Sequence, residues 1–226
     1  MCGRFAMTLP SKKVMAQFNI KEEVDLAPRY NIAPTQQVAV VRSRELMRNE
    51  LVMMRWGLIP YWAKDKKIGY KMINARGETI EEKPTFRSLF KKSRCLIPAD
   101  GFYEWKEIPG EKIKQPYFIQ LKGEHLFAFA GLWSSWQDPA SGETIDTCTI
   151  ITTAANKLLA KIHDRMPVII QQEQYGLWLA TEDRGSGAKQ QIKPYDPFKM
   201  TCHLVSGMCN NPKYDTPACI KRAADR

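Results

Sequence analysis

The stretch Cys95-Leu96-Ile97-Pro98-Ala99-Asp100-Gly101-Phe102-Tyr103-Glu104-Trp105 sets an apolar run, a turn signal and an aromatic run in direct succession. Cys95–Ala99 reads as a buried strand. Asp100-Gly101 is a strong hairpin signal, because aspartate and glycine supply the backbone angles of a tight two-residue turn. Phe102 to Trp105 then form the returning strand. Glu104 is out of keeping with its neighbours. A carboxylate among bulky rings costs free energy unless it is exposed, paired or used. Period-2 alternation could equally turn it to solvent, so both readings stand.

Similar β-rich runs recur on either side. Gln37–Arg42 and Glu50–Trp56 are joined by polar residues Ser43–Asn49, which predicts a hairpin. Pro116–Leu121 and His125–Trp133 predict another across Lys122-Gly123-Glu124. Thr147–Thr153, Val168–Ile170 and Cys202–Val205 are further strands. Short helices fall between them. Ser11 caps one that places Val14, Met15 and Phe18 on one face, and Pro84 opens one with Phe86, Leu89 and Phe90. Ala154–Ile162 and Glu173–Leu179 are two more. Pro28–Pro34, Ser134–Glu143 and Arg184–Gln191 read as loops, and Lys221–Arg226 as a polar, mobile tail. Strands and short helices do not alternate regularly, which gives an α+β class rather than a parallel doubly wound sheet. No internal repeat and no polar linker divides the chain.

The 226 residues are 44% hydrophobic and 26% charged, enough to bury a large core and too apolar for disorder. Lysine and arginine number 34 against 24 acidic residues. That excess points to a polyanionic partner such as nucleic acid; a solvated basic surface is the alternative. Six cysteines contain no C-x-x-C pair, which gives no support to a zinc ribbon or thioredoxin site. No apolar run approaches the ~18 residues of a membrane span, and no secretory leader pattern is visible. A reduced, intracellular setting is expected, in which cysteines stay free.

The beginning of the chain, Met1-Cys2-Gly3-Arg4-Phe5, adds a chemical possibility. Initiator methionine is removed before a small second residue, which would leave Cys2 with an α-amine and a thiol on one residue. Such a 1,2-aminothiol condenses with an aldehyde to an imine, and its sulfur then closes a five-membered thiazolidine; the second step is intramolecular. An inert, loose terminus is the alternative. Trp56-Gly57-Leu58-Ile59-Pro60-Tyr61-Trp62, followed by Lys64, Lys66 and Lys67, interleaves rings with cations as a single-stranded nucleic-acid groove requires. Trp56 reads as core; for Trp62, core and groove are both open. His163, at the end of an expected helix, would have its charged form favoured by the helix dipole; a structural histidine is the alternative.

Seven stretches together resemble one family. They are M-C-G-R-F (1–5), R-Y-N-I-A-P (29–34), R-W-G-L-I-P (55–60), I-N-A-R-G-E-T (73–79), C-L-I-P-A-D-G-F-Y-E-W (95–105), T-T-A-A-N (152–156) and I-H-D-R-M-P (162–167). In this order they resemble the SRAP family, the SOS-response-associated peptidases or abasic-site processing proteins. The resemblance implies a single α+β domain over 2–211, a curved, barrel-like, mostly antiparallel sheet with flanking short helices, and a C-terminal extension over 212–226. It implies a sensor of abasic sites in single-stranded DNA that cross-links to the lesion through Cys2. Asn74, Glu104 and His163 match the family's other active-site residues; Arg4, Arg76 and Arg165 match arginines near the DNA backbone, and Trp62 resembles the groove aromatic. In that setting His163 would assist ring opening of the sugar, Glu104 would move protons in cross-link formation and reversal, and Asn74 would orient the amine or sugar oxygen. An imine left open would permit lyase chemistry. Neither metal nor organic cofactor is required, the default state is a monomer without membrane attachment, and a cytoplasmic, bacterial or prophage-borne protein that joins the nucleoid on binding DNA is expected. Two rivals are a cysteine peptidase built on Cys2, consistent with the family's peptidase label and removal of its own N-terminal residue, and a non-catalytic module for single-stranded DNA.

Overall fold

The computed structural model describes residues 2–43, 48–123, 126–180, 182 and 185–223. Residues 1, 44–47, 124–125, 181, 183–184 and 224–226, on which parts of the two expected hairpin connections, the expected 184–191 loop and the expected tail fall, lie outside them. The strands in chain order are β1 (Phe5–Met7), β2 (Arg29–Ile32), β3 (Gln37–Ser43), β4 (Asn49–Trp56), β5 (Asn74–Arg76), β6 (Arg94–Ala99), β7 (Gly101–Lys106), β8 (Gln115–Leu121), β9 (Phe127–Gln137), β10 (Thr144–Ala154), β11 (Arg165–Pro167), β12 (Ile169–Ile170) and β13 (Met200–Leu204). The helices are α1 (Ser11–Phe18), α2 (Pro84–Lys92), α3 (Tyr175–Leu179) and α4 (Ser186–Lys189).

Two sheets carry the fold. β3, β4, β6, β9 and β10 close into a ring, because β9 pairs with both β6 and β10, and β10 pairs with β4. Closure leaves this barrel with few free edges. The pairings are antiparallel except where β10 runs parallel to β4 and to β5. The second sheet has the order β13-β8-β7-β1-β2 and is antiparallel throughout. One of its faces packs on the barrel. Phe5 makes edge contacts with Trp56 of β4 and Phe129 of β9, at 5.2 and 5.6 Å between ring centroids, and Phe129 meets Phe102 of β7 at 5.9 Å. The other face, with Ala6, Tyr103 and Phe118, is covered by Val205, Cys209 and Cys219. The α+β class and the barrel-like sheet expected from the sequence are both present.

The Asp100-Gly101 turn does not make a hairpin. β6 already has β3 and β9 on its two edges, and β7 has β1 and β8, so the chain passes from one sheet to the other there. Asp100 fixes the crossing: its Oδ2 accepts from the Thr8 backbone N–H at 2.7 Å and from the Thr8 hydroxyl, and its own N–H donates to the Ala6 carbonyl at 3.0 Å. The hairpin expected across Lys122-Gly123-Glu124 fails similarly, since β8 belongs to the small sheet and β9 to the barrel. The β3–β4 hairpin forms as expected.

Four smaller expectations need correction. Pro28–Pro34 holds a strand, β2, paired with β1. Ser11 does not cap α1; its hydroxyl accepts from the Leu26 N–H at 2.8 Å. The helix expected over Ala154–Ile162 is shortened to a three-residue 3-10 turn, Leu159–Lys161: β10 runs on to Ala154, and the Asn156 side chain accepts from the N–H groups of Leu158 and Leu159 ahead of the turn. The described part of the C-terminal extension is packed rather than loose. Asp215 accepts from the N–H groups of Tyr30 and Asn31 at 2.5 and 2.9 Å, and Cys219 is fully buried.

Gly101 is where the sheet crossing depends on having no side chain. A Cβ there would lie 2.1 Å from the Phe118 ring. Gly101→Ala should therefore destabilise the fold by about 1–3 kcal/mol through overpacking, read from the urea unfolding midpoint. An unchanged midpoint would show that the ring moves aside freely.

Candidate active site

β10 is the strand that gathers the site. Its last residues pair with β5 on one side, Thr152 opposite Arg76, and with β11 on the other, Ala154 opposite Arg165. Asn74 to Arg76 and His163 to Arg165 are thereby brought together from distant parts of the sequence. β1 and β7 deliver the other two groups. The N–H of Tyr103 donates to the Arg4 carbonyl at 2.9 Å, which sets Glu104 beside the start of the chain.

Cys2 is fully buried. Asn74 Nδ2 donates to its carbonyl at 2.9 Å, while the Cys2 thiol faces the Arg4 carbonyl at 3.9 Å, a weak contact. Asn74 Oδ1 is buried and has no hydrogen-bond partner among the described residues. It is an acceptor held next to the reactive residue. Burial pushes the Cys2 thiol well above its usual pKa, and the neighbouring Glu104 carboxylate adds to the shift. The resting sulfur is therefore a protonated thiol.

Glu104 is 2% exposed, and burial raises its pKa to about 7. Its rings are not those expected from the sequence. Phe102 shares its face of β7, toward the barrel, whereas Tyr103 and Trp105 point to the opposite face and lie 6.2 Å apart. Asp164 lies within electrostatic reach and opposes ionisation of Glu104, and Lys114 favours it. The His163 imidazole is pushed below its usual pKa by burial, with Asp164 opposing. The helix dipole expected to favour its cation is absent, since only a short 3-10 turn precedes it. His163 Nδ1 lies 3.0 Å from the Arg165 backbone nitrogen and 2.9 Å from the Asp164 carboxylate, so both neighbours hold the ring in place.

The arginines separate. Arg4 Nη1 donates inward to Asn31 Oδ1 at 2.7 Å and to the Cys209 carbonyl at 2.6 Å, and its guanidinium lies 5.9 Å from the Trp105 ring. Arg165 makes a bidentate pair with Glu78 at 2.7 and 2.8 Å and donates to the Thr152 carbonyl at 2.9 Å. Its geometry ties two segments of the site together. Arg76 is exposed on β5 and stands two residues from Asn74. Trp62 is 54% exposed and Trp56 is fully buried, which resolves both tryptophans: one at the surface, one in the core. Sequence reading missed Asn31, Asp164 and Lys114. Asn31 lay within a segment read as loop, and Lys114 sits in a polar run with no distinguishing pattern.

The sequence model described as SOS response associated peptidase (SRAP) matches residues 1–212. The chain belongs to the SRAP family. It is 46% identical over 225 residues to the abasic site processing protein YoqW of Bacillus subtilis (strain 168) and of Bacillus phage SPbeta, covering 98% of this chain and 99% of the relative. It is 34% identical to the abasic site processing protein HMCES of Xenopus tropicalis, over 97% of this chain and 78% of that protein. A crystal structure of a protein from Bacteroides thetaiotaomicron superposes with a TM-score of 0.89 at 30% identity, over 99% of this chain and all of the other. Within this SRAP fold, no helix among the described residues is long and apolar enough to cross a membrane.

Burial of Glu104 has a measurable consequence for stability. The folded chain keeps this proton up to about pH 7, whereas an unfolded glutamate releases it near ~4.3. Between those values the folded state binds the extra proton, so stability falls as pH rises through the window and stays lower above it. Glu104→Gln should raise the urea midpoint at pH 8, by up to about 3 kcal/mol in free energy, with little difference near pH 4. A variant less stable than the parent at pH 8 would contradict the assignment.

Proposed function

We propose that this SRAP protein detects abasic sites in single-stranded DNA and captures them covalently through Cys2, once Met1 has been removed. The observation that carries this reading is the pairing of a buried Cys2 with a buried carboxyl whose pKa is about 7. The names of the relatives, abasic site processing proteins, agree with it.

The chemistry follows from the groups. An abasic deoxyribose is mostly a closed hemiacetal, and proton transfer by a neutral His163 assists its opening to the aldehyde. The Cys2 α-amine adds to C1′ and gives a carbinolamine. Glu104, protonated in about half the molecules near neutral pH, donates a proton to the departing hydroxyl, so water leaves and an imine forms. That imine keeps its N–H and is cationic; the carboxylate accepts the thiol proton as sulfur adds to the imine carbon, and the C=N electron pair returns to nitrogen. The net change joins the aldehyde and aminothiol as a thiazolidine and releases one water. Asn74 Oδ1 accepts a hydrogen bond from the amine or a sugar hydroxyl without adding charge. The reverse path uses the same acid and base, so Glu104 also governs release. An imine that escapes ring closure permits β-elimination of the 3′ phosphate, a lyase side reaction.

Around the candidate site, Arg76 and the exposed lysines supply contacts to phosphates, so affinity falls with salt. An abasic site has no base to unstack, and its sugar enters at low cost compared with an intact nucleotide.

A denaturing gel tests the proposal. Wild-type protein incubated with abasic single-stranded DNA should give a heat-stable shifted band, absent with undamaged DNA. Cys2→Ala should abolish the band while retaining non-covalent binding; an adduct of equal yield in this variant would defeat the proposal. Glu104→Gln should slow cross-linking by about 10²–10⁴-fold. It should also remove the decline in rate that wild type shows as pH rises through about 7 and Glu104 loses its proton.

A further inference from the structure

His163 Nδ1 is approached by two groups of opposite character. The Arg165 backbone N–H, a donor, lies 3.0 Å away, and an oxygen of the Asp164 carboxylate, an acceptor, lies 2.9 Å away. One ring nitrogen serves only one of them at a time. A bare Nδ1 accepts from Arg165 and puts the neutral ring's proton on Nε2. A protonated Nδ1 donates to Asp164 and makes Nε2 the acceptor.

The backbone on both sides fixes this choice in place. The His163 N–H donates to the Leu159 carbonyl at 2.8 Å, the Asp164 carbonyl accepts from the Ala155 N–H at 2.9 Å, and Arg165 pairs with Ala154 at the end of β10. The Asp164 side chain is 86% exposed, yet its carboxylate turns back onto the ring of the preceding residue. Water would satisfy those oxygens equally well, so the contact adds little to stability. Its effect falls on the ring. Burial works against an imidazolium at His163, as does Lys114, and Asp164 works for it. Glu107 lies within electrostatic reach of His163, and Asp164 within reach of Glu104.

We propose that Asp164 is a positioning residue that keeps a proton on His163 Nδ1, so that Nε2 acts first as base and then as acid on the closed sugar. A carboxylate on one ring nitrogen fixes the tautomer and stabilises the cation that forms. Nε2 takes the proton of the C1′ hydroxyl, and the imidazolium keeps its Nδ1–H on Asp164. The C1′–O4′ bond then breaks. Its electron pair passes to O4′, and the electrons left on the C1′ oxygen form the carbonyl. O4′ takes the proton from Nε2, which returns the ring to its starting tautomer. One proton has moved from one sugar oxygen to the other, and the protein is unchanged. The Arg165 N–H holds the competing tautomer, whose Nε2 cannot accept. This role rests on the reading of abasic DNA as the substrate, and it adds which group readies His163 for ring opening.

The test compares cross-linking rates on two labelled single strands at saturating DNA, because removing a negative charge beside DNA tightens binding by itself. One strand carries an ordinary abasic site; the other carries an aldehyde on an open chain that cannot cyclise. Asp164→Asn should slow cross-linking of the first by about five- to fiftyfold, part of the ~10²–10⁴ that general acid–base catalysis supplies. It should leave the second unchanged, since no ring has to open. NMR of the ring nitrogens gives a second readout. The His163 signals, assigned by their loss in His163→Gln, should report mainly Nδ1–H in the parent and mainly Nε2–H in Asp164→Asn. Equal slowing on both strands, no slowing on either, or an unaltered tautomer would overturn the role. If the parent cross-links neither strand, the assignment of the substrate falls and the catalytic role with it, whereas the pairing of His163 with Asp164 stands or falls on the spectra alone.

Discussion

The clamp on Arg4 is the interaction on which the site depends. Chain termini are ordinarily loose, and a nucleophile at residue 2 gains nothing from a mobile backbone. Here Arg4 Nη1 is shared between Asn31 Oδ1 and the Cys209 carbonyl, at 2.7 and 2.6 Å. Asn31 is itself fully buried and donates to the Tyr214 carbonyl at 2.6 Å. Asp215 then fastens the backbone of β2. A C-terminal segment thus holds the N-terminal strand through a small set of directional bonds. Phe5 completes the attachment from the apolar side by filling the space between the small sheet and the barrel.

Holding the terminus in this way buries groups that prefer water. Cys2, Asn74 Oδ1 and Glu104 are all withdrawn from solvent. Desolvation works against the thiolate and against the carboxylate, which costs stability but keeps both protons available near neutral pH. The rest of the fold offsets this. The closed barrel supplies the core, and the Glu78–Arg165 pair joins the segments that carry Asn74 and His163 on either side of β10. Local order is therefore secured by ties outside the reacting groups.

The sequence revealed the site more clearly than the topology. Cys2, Glu104 and His163 stood out by residue type and Asn74 through the family resemblance, and the structure brings the four around the end of β10. The connections were harder to read. Asp100-Gly101 has the chemistry of a tight turn, yet whether two strands pair depends on which edges are already taken, and that is a non-local matter. The same applies after Leu121. The resemblance puts Arg165 near the DNA backbone, and its ion pair with Glu78, 87 residues away in sequence, becomes visible only in the fold. The helix expected before His163 is shortened because β10 continues to Ala154, which leaves room only for the turn Leu159–Lys161. Asn31 was overlooked because a buried asparagine and a loop asparagine are identical until the fold is known.

Mass spectrometry of the protein joined to an abasic oligonucleotide bears most directly on the chemistry at Cys2. Digestion of the purified adduct should yield an N-terminal peptide that begins at Cys2, lacks Met1 and carries the sugar remnant with one water lost. A sugar remnant on an internal lysine, or full cross-linking by protein that still retains Met1, would contradict the account.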